Sequence, residues 1–247
     1  LGTPSLFLSL SAADTHWHQL LITLGQLVDN KTYSQADIEN MSSEEKFRLV
    51  QSDPVTCVRY FDHRYNNFFK LILEHPDKPY GEIVDYFIRV EFQHRGSPHI
   101  HVLLWLKDGK VYKADSIEEV LAFIDKYCSC SLKVREEFKK YIKMQTHKHS
   151  RTCKKEKDDE CRFSYPIPPF PSTCILEPLE DETNKATYRE KYKRIKSTLE
   201  EIKEDDEISF DELLQKLEMS KEEYTNAVRS SLKRAKVFLK RQPNEIW

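Results

Sequence analysis

The chain has 247 residues, of which 39% are hydrophobic and 32% are charged, and its formal net charge is -2. This balance is typical of a globular protein and argues against a wholly disordered segment or a uniformly basic nucleic-acid binder. No apolar run approaches the roughly 20 residues that a membrane span needs. The chain begins at Leu1 without an initiator Met or a signal-peptide pattern, which predicts a piece of a longer protein.

Apolar periodicity and capping signals predict mostly helices in the first eighty residues, after one short strand. The predicted elements are a strand at 7–10, a helix capped by Asp14 that reaches about residue 27, a helix at about 42–50, and a longer helix from Pro54 to about residue 73.

Two aromatic and β-branched stretches, Tyr86–Gln93 and His99–Leu106, are separated by a turn-rich connection of hairpin length, which predicts an antiparallel hairpin. A proline-rich passage at 166–178 cannot form a regular helix. The other elements predicted in this half are helices at about 117–127, 134–147, 188–204, 210–217 and 221–234, and a strand at about 237–240.

His99 and His101 stand at positions i and i+2 of the second hairpin strand, so both should project from one face. Glu91 and Gln93 are likewise two residues apart on the partner strand, so their side chains should also project from one face. Two imidazoles with a facing carboxylate or amide suit Mg²⁺ or Mn²⁺ with open positions for water and a phosphate oxygen. The alternative is that both histidines only occupy a solvated face of the sheet.

The segment from Glu91 to His101 resembles the HUH motif of rolling-circle replication initiators and transposases. In those families a carboxylate often lies eight residues before the first histidine and a glycine occupies the turn, as Glu91 and Gly96 do here. The resemblance therefore favours Glu91 as the third metal ligand, with Gln93 as the alternative, and it implies a catalytic role for His99, His101 and Glu91.

A closer resemblance, to the Helitron-like N-terminal domain, extends over several blocks in the same order as in that family. The blocks are Phe7–Asp14, Arg89–His101, Gln145–Cys153, Cys161–Phe163 and Leu239–Asn244. The resemblance implies an enzyme that nicks one DNA strand, becomes joined to the 5′ phosphate through a tyrosine and transfers that strand. Its implied partners are single-stranded DNA at transposon ends and a downstream helicase domain, and its implied location is the nucleus.

The implied fold is α+β, with a central antiparallel sheet carrying the HUH hairpin, flanking helices, a small zinc-binding insertion and a helical C-terminal extension. We expect a nuclease-like core at 1–180, with a Cys/His segment at about 128–165, and a helical extension at 181–247 that leads towards a nucleophile region.

Four of the six cysteines fall between Cys128 and Cys161, beside two histidines, which indicates metal binding in a reducing compartment rather than a disulfide framework. The predicted Zn²⁺ ligands are His147, His149, Cys153 and Cys161, since two imidazoles and two thiolates satisfy a closed tetrahedral site. Cys128 and Cys130 remain open as replacements for a histidine, or as buried apolar residues. The alternative is that the cysteines are reduced and the histidines bind no metal.

Basic residues concentrate around the hairpin turn and the Cys/His segment, which predicts contacts with phosphates, although a solvated surface would look the same. The predicted DNA-binding residues are Arg89, Arg95, Lys148, Arg151, Lys154 and Lys155.

The tyrosine nucleophile is the part of the resemblance that the chain lacks. Tyr188 and Tyr192 stand at i and i+4 of a charged helix, where a surface aromatic contact is the favoured interpretation. The family's tyrosine pair follows the block that resembles Leu239–Asn244, so the chain alone is expected not to complete cleavage. The alternatives are a transposase-derived DNA-binding module without cleavage and a purely structural zinc protein.

Overall fold

The structure is a computed structural model, and it describes residues 2–92, 96–150, 153, 161–180, 183–203 and 206–247. The chain divides into two compact units, Leu1–Val120 and Leu121–Trp247. Each unit combines helices with antiparallel strands, so the predicted α+β class is confirmed. The functional division near residue 180 stays a prediction.

The first unit contains a three-stranded antiparallel sheet in the order β1-β3-β2, and β3 therefore has a partner on both sides. The predicted antiparallel hairpin is confirmed as β2 and β3. The elements of this unit are β1 (Leu6–Ser11), a 3-10 turn (Asp14–His16), α1 (His18–Val28), α2 (Gln35–Asn40), α3 (Ser43–Ser52), α4 (Pro54–Phe68), a π-helical turn (Phe69–Leu73), β2 (Ile83–Phe92) and β3 (Pro98–Leu106).

Alternation along β3 decides which side of the sheet is buried. Ile100, Val102 and Leu104 are almost fully buried, whereas His99 and His101 between them are half-buried. Removing the apolar row from water stabilises the sheet in one orientation, because a slip of one residue would expose that whole row. This alternation fixes the face on which the two imidazoles lie.

Among the helices of the first unit, α2 and α3 begin where polar caps satisfy free N–H groups. Reciprocal side-chain and backbone bonds link Ser34 with Asp37 at α2 and Ser42 with Glu45 at α3. The helices then bury a common apolar cluster: Leu20, Leu21, Leu24, Ile38, Leu49, Val50 and Cys57.

The predicted helix cap at Asp14 is wrong. Asp14 begins a 3-10 turn, and α1 starts at His18 with Trp17 at the capping position. The buried Asp14 carboxylate instead accepts a hydrogen bond of 2.7 Å from the Ser97 hydroxyl. A long-range contact has therefore prevailed over the local capping pattern.

The second unit begins inside α5, at Leu121. Its apolar core includes Ile195, Leu199, Leu213, Leu217 and Tyr224. The elements are α5 (Ile117–Tyr127), α6 (Glu136–Gln145), β4 (Cys174–Leu176), α7 (Lys185–Glu200), α8 (Phe210–Leu217), α9 (Lys221–Ser230) and β5 (Lys236–Phe238).

A second sheet, formed by antiparallel pairing of β4 with β5, joins the proline-rich passage to the end of the chain. The predicted strand at about 237–240 corresponds to β5, whereas β4, which is only three residues long, was not predicted from the sequence. Within the described parts of the chain, the helices include none with the length and apolarity to cross a membrane.

Candidate functional sites

The hairpin brings four of the predicted site residues onto one face of the sheet. Glu91 lies opposite His99 and Arg89 lies opposite His101 across the β2–β3 ladder. The two imidazole centroids are 4.5 Å apart. The geometry therefore gathers two imidazoles, one carboxylate and one guanidinium in a small area.

His101 and Glu91 form the closest part of this group. His101 Nε2 lies 3.4 Å from Glu91 Oε2, and the Arg89 Nε group lies 3.1 Å from Glu91 Oε1. The other imidazole nitrogen, His101 Nδ1, is buried and has no hydrogen-bond partner among the residues that the structure describes. The Phe7 ring stacks against this imidazole at 5.3 Å between centroids.

His99 has different partners, which the sequence did not reveal. Its Nε2 lies 2.9 Å from the Ser9 hydroxyl and its Nδ1 lies 2.8 Å from the Ser11 hydroxyl. A neutral imidazole donates from one nitrogen and accepts at the other, so the two hydroxyls satisfy both. For His99 to bind an ion together with His101, one of these contacts must be exchanged.

The turn before His99 is tied to the start of the chain by two hydrogen bonds. The Ala12 N–H donates to the Pro98 carbonyl at 3.2 Å, and Ser97 donates to Asp14 as described above. The second oxygen of Asp14 is buried without a partner among the described residues. These contacts fix the position at which His99 enters the sheet.

The second candidate site is a Cys/His cluster in the second unit, where the four predicted zinc ligands come together. One ligand atom from each of His147, His149, Cys153 and Cys161 lies within 4.8 Å of all the others. His147 Nε2 is 3.4 Å from Cys161 Sγ, and His149 Nδ1 is 3.5 Å from Cys153 Sγ. The two imidazole nitrogens are 3.4 Å apart.

These spacings fit a tetrahedral ion. Zinc bonds of about 2.0–2.3 Å place neighbouring ligand atoms roughly 3.3–3.8 Å apart. Two imidazoles and two thiolates complete four-coordination and leave no position for water, which is the arrangement of a structural zinc site. The cluster therefore has the donor set and the spacing to hold a metal ion such as Zn²⁺.

Backbone and ring contacts hold the ligands in place around this cluster. The Ser150 N–H donates to Cys153 Sγ at 3.2 Å, and the Arg162 N–H donates to the Cys153 carbonyl at 2.9 Å. The His147 ring stacks on Tyr165 at 4.2 Å between centroids. Burial, and secondly the neighbouring His149, lower the pKa of His147, which favours the neutral form that binds metal.

Cys128 and Cys130 are not among the ligands of this cluster. Cys128 is exposed, and burial is the main cause that raises the pKa of the Cys130 thiol. The structure thus forms the four-ligand group without either of them, and the sequence alone left that choice open.

Some of the other predicted residues lie in the part of the chain that the structure describes, and some lie outside it. Arg89 and Lys148 are exposed. Tyr188 and Tyr192 are partly buried on α7 and pack against the core of the second unit. The predicted residues that lie outside the described ones are Gln93, Arg95, Arg151, Lys154 and Lys155.

Comparison with known proteins finds a family model that matches the N-terminal part of the chain. Residues 1–104 match the model described as the Helitron helicase-like domain at the N-terminus. The match includes β1 and nearly all of the hairpin, and it confirms the Helitron-like resemblance over less than half of the chain. No curated protein and no solved structure matches the chain.

Proposed function

We propose that this chain carries the metal-dependent nicking centre of a Helitron-like transposase, which cuts and transfers single-stranded DNA at transposon ends. The observation that carries the proposal is the shared sheet face of His99, His101 and Glu91, inside the segment that matches the Helitron family. We further propose that the protein acts in the nucleus and that a helicase domain belongs to the same parent protein.

The three side chains have the chemistry to hold Mg²⁺ or Mn²⁺ for this reaction. An imidazole pair with one carboxylate suits Mn²⁺ and leaves positions open for phosphate oxygens. A bound ion would polarise the scissile phosphate and stabilise the negative charge that develops on it. In this proposal Arg89, which lies 3.1 Å from Glu91, orients that carboxylate and contacts a neighbouring phosphate.

The attacking group is not assigned to a residue of this chain. Tyr188 and Tyr192 are poor candidates because both are partly buried and pack against an apolar core. The Cys/His cluster has no open coordination position, so in this proposal it serves a structural role in the second unit.

A second candidate function is a transposase-derived module that binds DNA without cleaving it. The two serine hydroxyls at His99 favour it, because they occupy both nitrogens of one proposed ligand. If that arrangement persists when Mn²⁺ is supplied, the hairpin cannot use both histidines for one ion.

Binding of Mn²⁺ tests the proposal. We expect the chain, with its Cys/His site already loaded with zinc, to bind one Mn²⁺ ion. The His99→Ala/His101→Ala variant should bind it at least about tenfold more weakly, because it loses two of three ligands. Electron paramagnetic resonance of free Mn²⁺ during a titration measures both affinities.

The matched control is His63→Ala/His75→Ala, since both histidines are exposed and lie outside the sheet of the same unit. It should bind Mn²⁺ as the unmodified chain does. Equal Mn²⁺ affinity in all three proteins would contradict the proposed metal centre.

A further inference from the structure

A large cavity opens in the second unit beside the Cys/His cluster. Its volume is about 1060 Å³, and its walls include α7 and the segment from Ser231 to Phe238. Cys161 and Tyr165 form part of a third wall. Ligand pockets in proteins usually measure roughly 300–1,000 Å³, so this cavity is large enough for a short stretch of an extended polymer.

The charges that line the cavity are strongly unbalanced. Its basic side chains are Lys193, Lys196, Lys233, Arg234 and Lys236, whereas Glu200 is its one acidic lining residue among those described. Such a lining attracts anions, because positive charges concentrated around a concave surface reinforce one another.

Two of the lysines already have partners within the protein. The Lys196 ammonium donates to the carbonyl oxygens of Ser164 and Pro166, at 2.7 and 2.5 Å. Lys193 pairs with Glu190 at 2.8 Å. These contacts fix the position of both lysine side chains in the cavity wall, and they leave less of the ammonium charge available to a ligand.

Lys233 and Arg234 supply the charge that is not compensated. Both are exposed, and neither forms an ion pair with any residue in the described parts of the chain. Lys236 lies two residues further on, where burial and then the charge of Arg241 lower the pKa of its ammonium group. A bound phosphate would relieve that unfavourable environment.

We propose that this cavity binds the sugar-phosphate backbone of one DNA strand, with Lys233, Arg234 and Lys236 as its phosphate contacts. The inference rests on the proposed function, and it adds a second strand-binding site on the unit that lacks the nicking centre. Tyr165 and Tyr192 also line the cavity and offer aromatic surface to unpaired bases. The strand would pass beside the Cys/His cluster, because His149 and Cys161 belong to the same lining.

The test compares two charge-reversal variants of the zinc-loaded chain. Lys233→Glu/Arg234→Glu changes the cavity, and Lys221→Glu/Lys240→Glu makes the same change in net charge at exposed positions outside its lining. Fluorescence anisotropy with a labelled twelve-nucleotide single strand, at several salt concentrations, gives the affinities. We expect at least about a tenfold loss of affinity for the cavity variant and less than a twofold change for the control.

The salt dependence provides a second readout. Each phosphate neutralised on a single strand contributes about 0.7 to the slope of log affinity against log salt. Because the cavity variant lacks two phosphate contacts, its slope should be smaller in magnitude by about 1.4. Equal losses in both variants, or no loss in the cavity variant, would overturn the inference. Tighter binding of an RNA strand or a DNA duplex than of the single strand would overturn it too.

The outcome is separable from that of the nicking centre. If the cavity variant binds DNA normally while Mn²⁺ binding depends on His99 and His101, only the cavity proposal fails. If the cavity variant loses DNA binding but Mn²⁺ affinity is the same with and without the two histidines, only the nicking centre fails.

Discussion

Replacement of both Cys153 and Cys161 by serine should remove one zinc ion per chain and markedly destabilise the second unit. Cys153 is buried, and the four ligand atoms lie within 4.8 Å of one another. Since a structural zinc ion binds the folded protein far better than the unfolded chain, its binding free energy adds to the free energy of unfolding.

The expected fall in the melting temperature is at least about 5 °C. Each kcal/mol of unfolding free energy that is lost with the zinc ion lowers Tm by about 2–4 °C in chains of 150–250 residues. Elemental analysis of undenatured protein measures the zinc, and calorimetry measures Tm. The Cys128→Ser/Cys130→Ser variant is the matched control and should keep its zinc. Absence of zinc from the unmodified protein, or its loss in the control, would contradict the assignment.

The second large effect concerns covalent attachment to DNA. In the family that the chain resembles, the tyrosine pair follows the block that corresponds to Leu239–Asn244. A longer parent protein that contains this pair should therefore form an adduct with a 5′ phosphate. We expect the His99→Ala/His101→Ala change to reduce the adduct at least about a hundredfold, because the developing charge on the phosphate loses its stabilisation. Denaturing electrophoresis of a labelled single strand incubated with Mn²⁺ measures the adduct.

The 247-residue chain is the comparison protein in this assay, and we expect it to bind the strand without forming an adduct. His63→Ala/His75→Ala in the parent protein should leave the adduct at its normal level. An adduct formed by the 247-residue chain and abolished by Tyr188→Phe or Tyr192→Phe would show that α7 supplies the nucleophile after all. An undiminished adduct in the His99/His101 variant would contradict the role of the hairpin.

Local patterns were sufficient to predict the hairpin and the Cys/His cluster. The alternation from His99 to Leu106 fixes which residues share a face, and the close spacing of His147, His149 and Cys153 brings those ligands together with little help from the fold. In both cases the relevant residues lie close to one another in the sequence.

Contacts between distant segments could not be predicted in the same way. Ser9 and Ser11 reach His99 only because β1 pairs with β3, which are about ninety residues apart. The basic cavity likewise needs α7 to lie beside the segment around Lys233. Asp14 has the side chain of a helix cap, yet its partner proved to be Ser97.

The most direct test of the proposed nicking centre is anomalous X-ray diffraction, at the manganese absorption edge, from crystals grown with zinc and Mn²⁺. The proposal predicts a manganese peak within about 2.0–2.6 Å of nitrogen atoms of His99 and His101 and a carboxylate oxygen of Glu91. His99 would then have exchanged at least one of its serine contacts for the ion. A map without manganese at the hairpin, in which His99 still contacts both Ser9 and Ser11, would contradict the proposal.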